Sequence, residues 1–226
     1  MAKEIKNERA EAVVEAVSKT EQFFEKNGKL ISIICGAVVV LCIVVFGWHK
    51  LIHQPKVAEA QGQMTFAEEN FRNAADSTGY ALALYGDGNV LGFEQIAAEY
   101  GNKAGKVVNF YAGVCEFNLG NYENAISYLK AYNGKDAILA ARALACIGDC
   151  YVNLEDYNAA LTYFEKAVAA GDNAFAAEYL LDAGLVAEVL GQNEKALGYY
   201  KQIKENYAAA PQAYDVDKYI SRIEAK

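Results

Sequence analysis

Histidine is almost missing from this chain of 226 residues: His49 and His53 are the two that occur, and both follow directly on one long apolar run. The residues beyond them therefore offer no imidazole as general base, nucleophile partner or metal ligand, which removes most hydrolase designs. Proline is as scarce, at Pro55 and Pro211 only. Everything between those two positions is free to be helix, and the alanine-rich composition agrees. Positive charge is also short, with 21 Lys and Arg against 29 Asp and Glu for a net charge of −8. The shortfall lies in the second part: the first 56 residues hold 8 of the 21 bases and 6 of the 29 acids, so residues 57–226 stand near −10. Such a surface repels phosphate backbones and anionic headgroups, which argues against nucleic-acid binding and against lying flat on a membrane.

What chemistry remains is thin. Asp149, Glu178, Asp182 and Glu188 fall on helices where they can cluster, but solvated acidic faces are commoner than carboxylate-only active sites. Gly86-Asp87-Gly88 lacks the Lys and Ser/Thr of a phosphate-cradling loop and reads as a turn. Cys35 and Cys42 lie inside the apolar run, and Cys115, Cys146 and Cys150 beyond it. Three is an odd number, from which no disulfide scaffold follows, although one bridge from Cys115 to either of the others stays open. Cys146 and Cys150, four apart on one helical face, have no second ligand cluster and read as small buried hydrophobes. No catalysis, cofactor, metal or small-molecule substrate is expected.

From Leu30 to Trp48 the chain runs nineteen residues without a charge, LISIICGAVVVLCIVVFGW. As a helix this reaches about 28 Å, close to the hydrocarbon thickness of a bilayer. Twelve of the nineteen are Leu, Ile, Val or Phe, and their insertion is worth roughly −4 to −7 kcal/mol. Ser32 is the one strongly polar side chain, so no polar stripe marks an outer face. The competing reading is a cleaved secretory signal with Ala58-Glu59-Ala60 as its site. Against it, such apolar cores are shorter and lie nearer their site, whereas Trp48, His49, Lys50, His53 and Lys56 intervene here. Residues 1–29 carry Lys3, Lys6, Arg9, Lys19, Lys26 and Lys29, while the twenty after Trp48 carry Lys50 and Lys56. The positive-inside rule then keeps the N-terminus in the cytoplasm and sends residues 57–226 across, into the periplasm of a bacterium.

Behind the span the sequence repeats itself. FYAGVCEFNLGNYENAISYLKAY (110–132), CIGDCYVNLEDYNAALTYFEKAV (146–168) and DAGLVAEVLGQNEKALGYYKQI (182–203) align with Gly113, Gly148 and Gly184 in register. Ala125, Ala160 and Ala196 follow at the same spacings of 35 and 36. Short turns stand between: Leu119-Gly120-Asn121-Tyr122, Leu154-Glu155-Asp156-Tyr157 and Leu190-Gly191-Gln192-Asn193. Small residues are needed where two antiparallel helices approach most closely, so the glycine is expected to face the alanine. The pattern resembles the tetratricopeptide repeat, with second-helix aromatics at Tyr128, Tyr163, Phe164, Tyr199 and Tyr200. It departs from that family where Asn109, Leu144 and Leu180 replace the aromatic that opens the first helix, and where Asn193 replaces the turn aromatic.

The expected architecture is all-α. A cytoplasmic, helical segment 1–29 carries an amphipathic helix over 4–26 (Val13, Val17, Phe24), ended by Asn27-Gly28. The span 30–48 follows, and after a break at Pro55 a repeat solenoid over 57–226. Within it a degenerate first repeat covers 57–101, with a helix 57–75, an irregular link 76–92 and a short helix Phe93–Tyr100. Full repeats follow at about 105–135, 140–171 and 175–207. A capping helix over 211–225 covers the open end with Val216, Tyr219, Ile220 and Ile223. The first helices of such a solenoid line a concave groove. By register its protein-binding candidates are Phe110, Val114, Phe117, Arg142, Asp149, Val152, Leu181, Leu185 and Glu188, a mix suited to apolar or mixed segments. The competing reading packs these residues into the solenoid or against the 57–75 helix.

The order of parts, with Phe23-Phe24, Asn27-Gly28-Lys29 leading into one span, GWHK at its exit and off-consensus repeats behind, resembles the YfgM family of ancillary subunits of the SecYEG translocon. That resemblance implies a periplasmic repeat domain tethered in the bacterial inner membrane, working with a PpiD-like chaperone on emerging chains. The alternative function is a structural scaffold for an envelope complex that binds no client.

Overall fold

The computed structural model describes residues 2–171 and 174–225, and the described chain is helical with no strand, a single isolated bridge joining Gly86 to Leu91. The fold expectation holds: an apolar helix near the N-terminus is followed by a helical-repeat solenoid. The chain divides into two compact units, Met1–Pro55 and Lys56–Lys226.

The first unit is helix α1, Ala2–Trp48, followed by a π-helical turn over His49–His53. Asn27-Gly28 does not end a helix, because α1 runs straight through it; the Asn27 side chain donates instead to the Phe23 carbonyl four residues back. Val13, Val17 and Phe24, on which the amphipathic reading rested, lie outside the described side chains. The apolar residues of the run are exposed all round, Ile33 at 69%, Val40 at 61% and Ile43 at 66%. The helix is long and apolar enough to cross a membrane. Behind it Trp48 and His49 both pack on the His53 ring.

The second unit holds the rest of α2 (Gln54–Arg72), then α3 (Ser77–Tyr85), α4 (Phe93–Tyr100), α5 (Val107–Asn118), α6 (Tyr122–Ala131), α7 (Ala137–Asn153), α8 (Tyr157–Ala169), α9 (Ala176–Val189), α10 (Asn193–Asn206) and α11 (Val216–Glu224). Pro55 is the second residue of α2 and follows directly on the π-helical turn, so no non-helical break stands at it. Residues 76–92 are an irregular link only from 86 on, since α3 occupies Ser77–Tyr85. Asp76 caps α3 by accepting from the Gly79 amide at 3.0 Å, and Ala83 and Leu84 are fully buried beneath it. Phe71 of α2 anchors this N-terminal core, its ring 5.1 Å from Tyr111 and 5.8 Å from Tyr80.

Helices α5–α6, α7–α8 and α9–α10 pair as three antiparallel repeats, each stacked on the next. All three internal turns are built alike. In each, the amide after the turn residue donates five residues back, Asn121 to Glu116, Asp156 to Tyr151 and Gln192 to Ala187. The turn residue itself has positive φ: Gly120 at 80°, Glu155 at 60° and Gly191 at 72°. This is the Schellman stop, which needs the left-handed region and so favours glycine.

The repeat glycines do face their partner helices; the nearest side chains there are not those of the expected alanines, and at Gly113 the Ala125 carbonyl is close as well. A Cβ on Gly113 would meet the Leu129 side chain at 2.6 Å, one on Gly148 the Phe164 ring at 2.7 Å, and one on Gly184 the Tyr200 ring. Each partner stands one turn beyond the expected Ala125, Ala160 or Ala196, all of them completely buried. The close approach is therefore a large side chain seated in the notch of a glycine. At the far end Pro211–Tyr214 forms a 3₁₀ turn, and α11 lays the buried Val216 and Ile223, with half-buried Tyr219 and Ile220, against the last repeat.

Candidate functional site

The first helices of the three repeats, α5, α7 and α9, border a groove of about 190 Å³. Its apolar wall comes from α5 through Phe110, Val114 and Phe117, with Asn118 at the end of that helix. Phe110 forms the floor; it is 7% exposed and packs edge-on to Tyr111 and Tyr132. The polar wall comes from α7 and α9: Arg142, Ala145, Cys146 and Asp149, then Glu178 and Tyr179. The helical period explains the grouping, since 142, 145, 146 and 149 fall on one stripe of α7.

Carboxylates outnumber cations on and behind this wall. Burial pushes the Asp149 carboxyl up to about 6, with Glu178 adding repulsion. Burial also raises Asp182, one turn beyond Glu178 on α9, to about 7, helped by Asp149 and Glu178. The Arg142 guanidinium carbon stands over the Phe175 ring, 4.4 Å from the centroid. The Tyr179 hydroxyl sits among the charges of Arg142, Glu178, Asp149 and Asp182, is pushed to about 12 chiefly by burial, and has no hydrogen-bond partner. Cys146 is a thiol pushed far up by its hydrogen bond with Cys150 and by burial, and burial takes Cys115 to about 12. All five cysteines are free, and these two behave as packed thiols rather than nucleophiles. Among the described residues no cluster of His, Cys, Asp and Glu is arranged to hold a metal.

Of the nine groove candidates, Phe110, Val114, Phe117, Arg142 and Asp149 come together here. The other four are not among the lining residues. Val152 and Leu181 pack half-buried on the C-terminal core, and Leu185 is half-buried on the same helix. Glu188 belongs to the cap: it accepts from the Tyr200 hydroxyl at 2.8 Å and from Arg222 Nε of α11 at 3.2 Å. Sequence reasoning missed Ala145, Cys146, Asn118 and Tyr179 as lining residues and saw Glu178 only as an acid. Register carried part of the signal, because Ala145 stands 35 after Phe110 and Glu178 stands 36 after Arg142.

A second hollow of about 340 Å³ opens between α6, α7 and α8, lined among others by Leu129, Tyr132, Leu144 and Tyr163. Lys130, which also lines it, donates to the Tyr151 hydroxyl at 3.3 Å.

These features define a tetratricopeptide-type solenoid with an apolar helix ahead of it. Tetratricopeptide-repeat family profiles match residues 108–135 and 141–170, which are α5–α6 and α7–α8. The chain carries tetratricopeptide repeats, the architecture of a protein-interaction module. Among solved structures it is similar to that of MamA, at 17% identity and a TM-score of 0.48 over 66% of this chain and 88% of that one. No curated protein matches it.

Proposed function

We propose that the protein is a single-pass tether of the bacterial inner membrane, with its N-terminus cytoplasmic, the span at residues 30–48 and the repeat domain in the periplasm. There it holds protein segments near the exit of the Sec translocon, alongside a PpiD-like chaperone, without catalysing a reaction on them. The observation that carries the reading is the groove between α5, α7 and α9, mixed apolar and polar, on a domain that follows a helix able to span. Confinement to the membrane raises the effective concentration of such a groove for its partner, so a weak contact suffices. The distribution of Lys and Arg around the apolar run and the likeness of the Phe23–Lys29 lead-in to translocon ancillary subunits support the placement.

The test is a gentle-detergent pull-down of the tagged full chain and of its Phe117→Lys variant from bacterial membranes. Translocon components should come down with the wild type and be reduced several-fold in the variant, at equal amounts of folded bait. Recovery of none with the wild type would sink the placement; equal recovery with both would remove the groove from it.

A further inference from the structure

We propose that the α5–α7–α9 groove receives a lysine or arginine side chain of a partner protein, its cationic head among Asp149, Glu178 and the Tyr179 hydroxyl and its hydrocarbon stem against Val114 and Phe117. The inference rests on the reading of this groove as the protein-binding site and names what the site recognises.

Three independent observations converge on it. The first is Tyr179, 3% exposed, lining the groove with a hydroxyl that has no partner. A buried hydroxyl without a hydrogen bond is costly, and a ligand that supplies one recovers the loss on binding. The second is charge. Asp149 and Glu178 line the groove with Asp182 close behind them, and the guanidinium of Arg142, which lines it too, stands over the Phe175 ring. Burial and neighbouring carboxylates raise Asp149 and Asp182 towards neutrality; attraction to an incoming cation favours their ionised forms and offsets the repulsion, so the carboxylates favour a cationic guest over a neutral or acidic one. The third is shape: a hollow of about 190 Å³ between the helices has room for one long side chain. A long side chain with an apolar stem and a charged tip fits a site whose one wall is Val114 and Phe117 and whose other is acidic.

The experiment uses the full chain in detergent micelles and fluorescence anisotropy of the labelled peptide Gly-Ser-Leu-Lys-Leu-Ser-Gly-amide, with norleucine and glutamate analogues at the central position. The lysine peptide should bind about tenfold tighter than the norleucine one, and the glutamate one weaker still. Asp149→Asn or the exposed Glu178→Gln should shrink the lysine preference to within about threefold. Tyr179→Phe should weaken lysine binding several-fold while its melting midpoint stays level or rises, because removing an unpartnered buried hydroxyl does not harm the fold. Equal affinities for lysine and norleucine, no binding of any probe, or an unchanged affinity in Tyr179→Phe would each overturn the inference. Lysine amide alone competing as well as the whole peptide would make the guest a small cation, and probe binding lost as the chain self-associates would make it a second copy; both results also overturn it. The underlying reading is scored separately by Phe117→Lys: where the wild type binds lysine and norleucine probes equally and that variant abolishes both, the groove stands as a binding site and only the cation assignment falls.

Discussion

The middle repeat, α7 with α8, and the last, α9 with α10, share one skeleton and differ in what surrounds it. Both seat a ring in a glycine notch, Phe164 against Gly148 and Tyr200 against Gly184. In the last repeat that ring is tied: the Tyr200 hydroxyl donates to Glu188, and Arg222 of α11 closes the same carboxylate from the other side. In the middle repeat the ring has no hydroxyl, and the inward carboxylate, Asp149, stands beside other acids at an open groove. A terminal repeat covered by a cap uses its polar groups to hold the cap. An interior repeat leaves them at the open groove, where the proposed binding site lies.

The sharpest way to separate the two is to fill the notches. Gly184→Val should cost about 3 kcal/mol, because its side chain meets a ring fully buried and pinned by a hydrogen bond. Gly148→Val should cost less, near 2 kcal/mol, since Phe164 has no polar tether to break as it moves aside. Denaturant midpoints of the full chain measure both. Equal losses would mean that the tether on Tyr200 is idle.

Next in size is the tether itself. Glu188→Leu leaves the Tyr200 hydroxyl, on a side chain with no exposed surface, without its acceptor, and should destabilise by about 2 kcal/mol. Arg222→Met should cost well under 1 kcal/mol, because that guanidinium side is 45% exposed and water replaces what it loses. If the two cost the same, the ion pair rather than the hydroxyl carries the contact.

The open groove responds in the opposite sense. Asp149 and Asp182 have folded values near 6 and 7, above the roughly 3.9 of an unfolded aspartate. Between about pH 4 and 7 the folded chain thus binds more protons than the unfolded one, and their contribution makes stability fall as pH rises through that window. Asp149→Asn should flatten the fall and stabilise the protein at pH 8 by about 1–2 kcal/mol, with no gain below pH 4. Thermal midpoints across pH 4–8 read this directly. A loss of stability at pH 8 would show that the carboxylate is held by favourable partners.

Much of this was legible in the sequence, for a plain reason. Recurring Gly113, Gly148 and Gly184 mark where helices touch, and a period in small residues survives when the large ones drift. Two things were not legible. A notch does not say which residue fills it, since helix crossing shifts the contact one turn from the nearest alanine; hence Phe164 and not Ala160. Nor does register say which positions the next element covers. Glu188 and Phe117 are equivalent by repeat, yet the first meets α11 and the second an open groove. Helix α3 escaped because Gly79, Gly86 and Gly88 suggested a loop, although Gly79 allows close approach to Ala74 and Gly86 ends the helix at φ 74°. Tyr179 carried no sequence signal at all, because a buried aromatic on a first helix reads as core.

The smallest expected effect concerns the turn on which both repeats are built. Gly191 closes α9 at φ 72°, while Glu155 closes α7 at φ 60°, one of the few conformations a Cβ resists. The hydrogen bonds around the two match closely: Glu155 donates to the Val152 carbonyl at 3.0 Å and Gly191 to the Glu188 carbonyl at 2.9 Å. The backbone geometry is therefore the same and the difference is steric. A non-glycine residue held left-handed costs about 1 kcal/mol, and the freedom that glycine adds to the unfolded chain returns part of it. Glu155→Gly should raise stability by about 0.5–1 kcal/mol, while Gly191→Glu should lower it by at least as much. Because residue 155 is exposed and lies outside the groove-lining set, probe binding should not change in either variant. A Glu155→Gly protein no more stable than the wild type would mean that the glutamate side chain supports the turn in some other way, and the two repeats would then differ in their closure as well as in their surroundings.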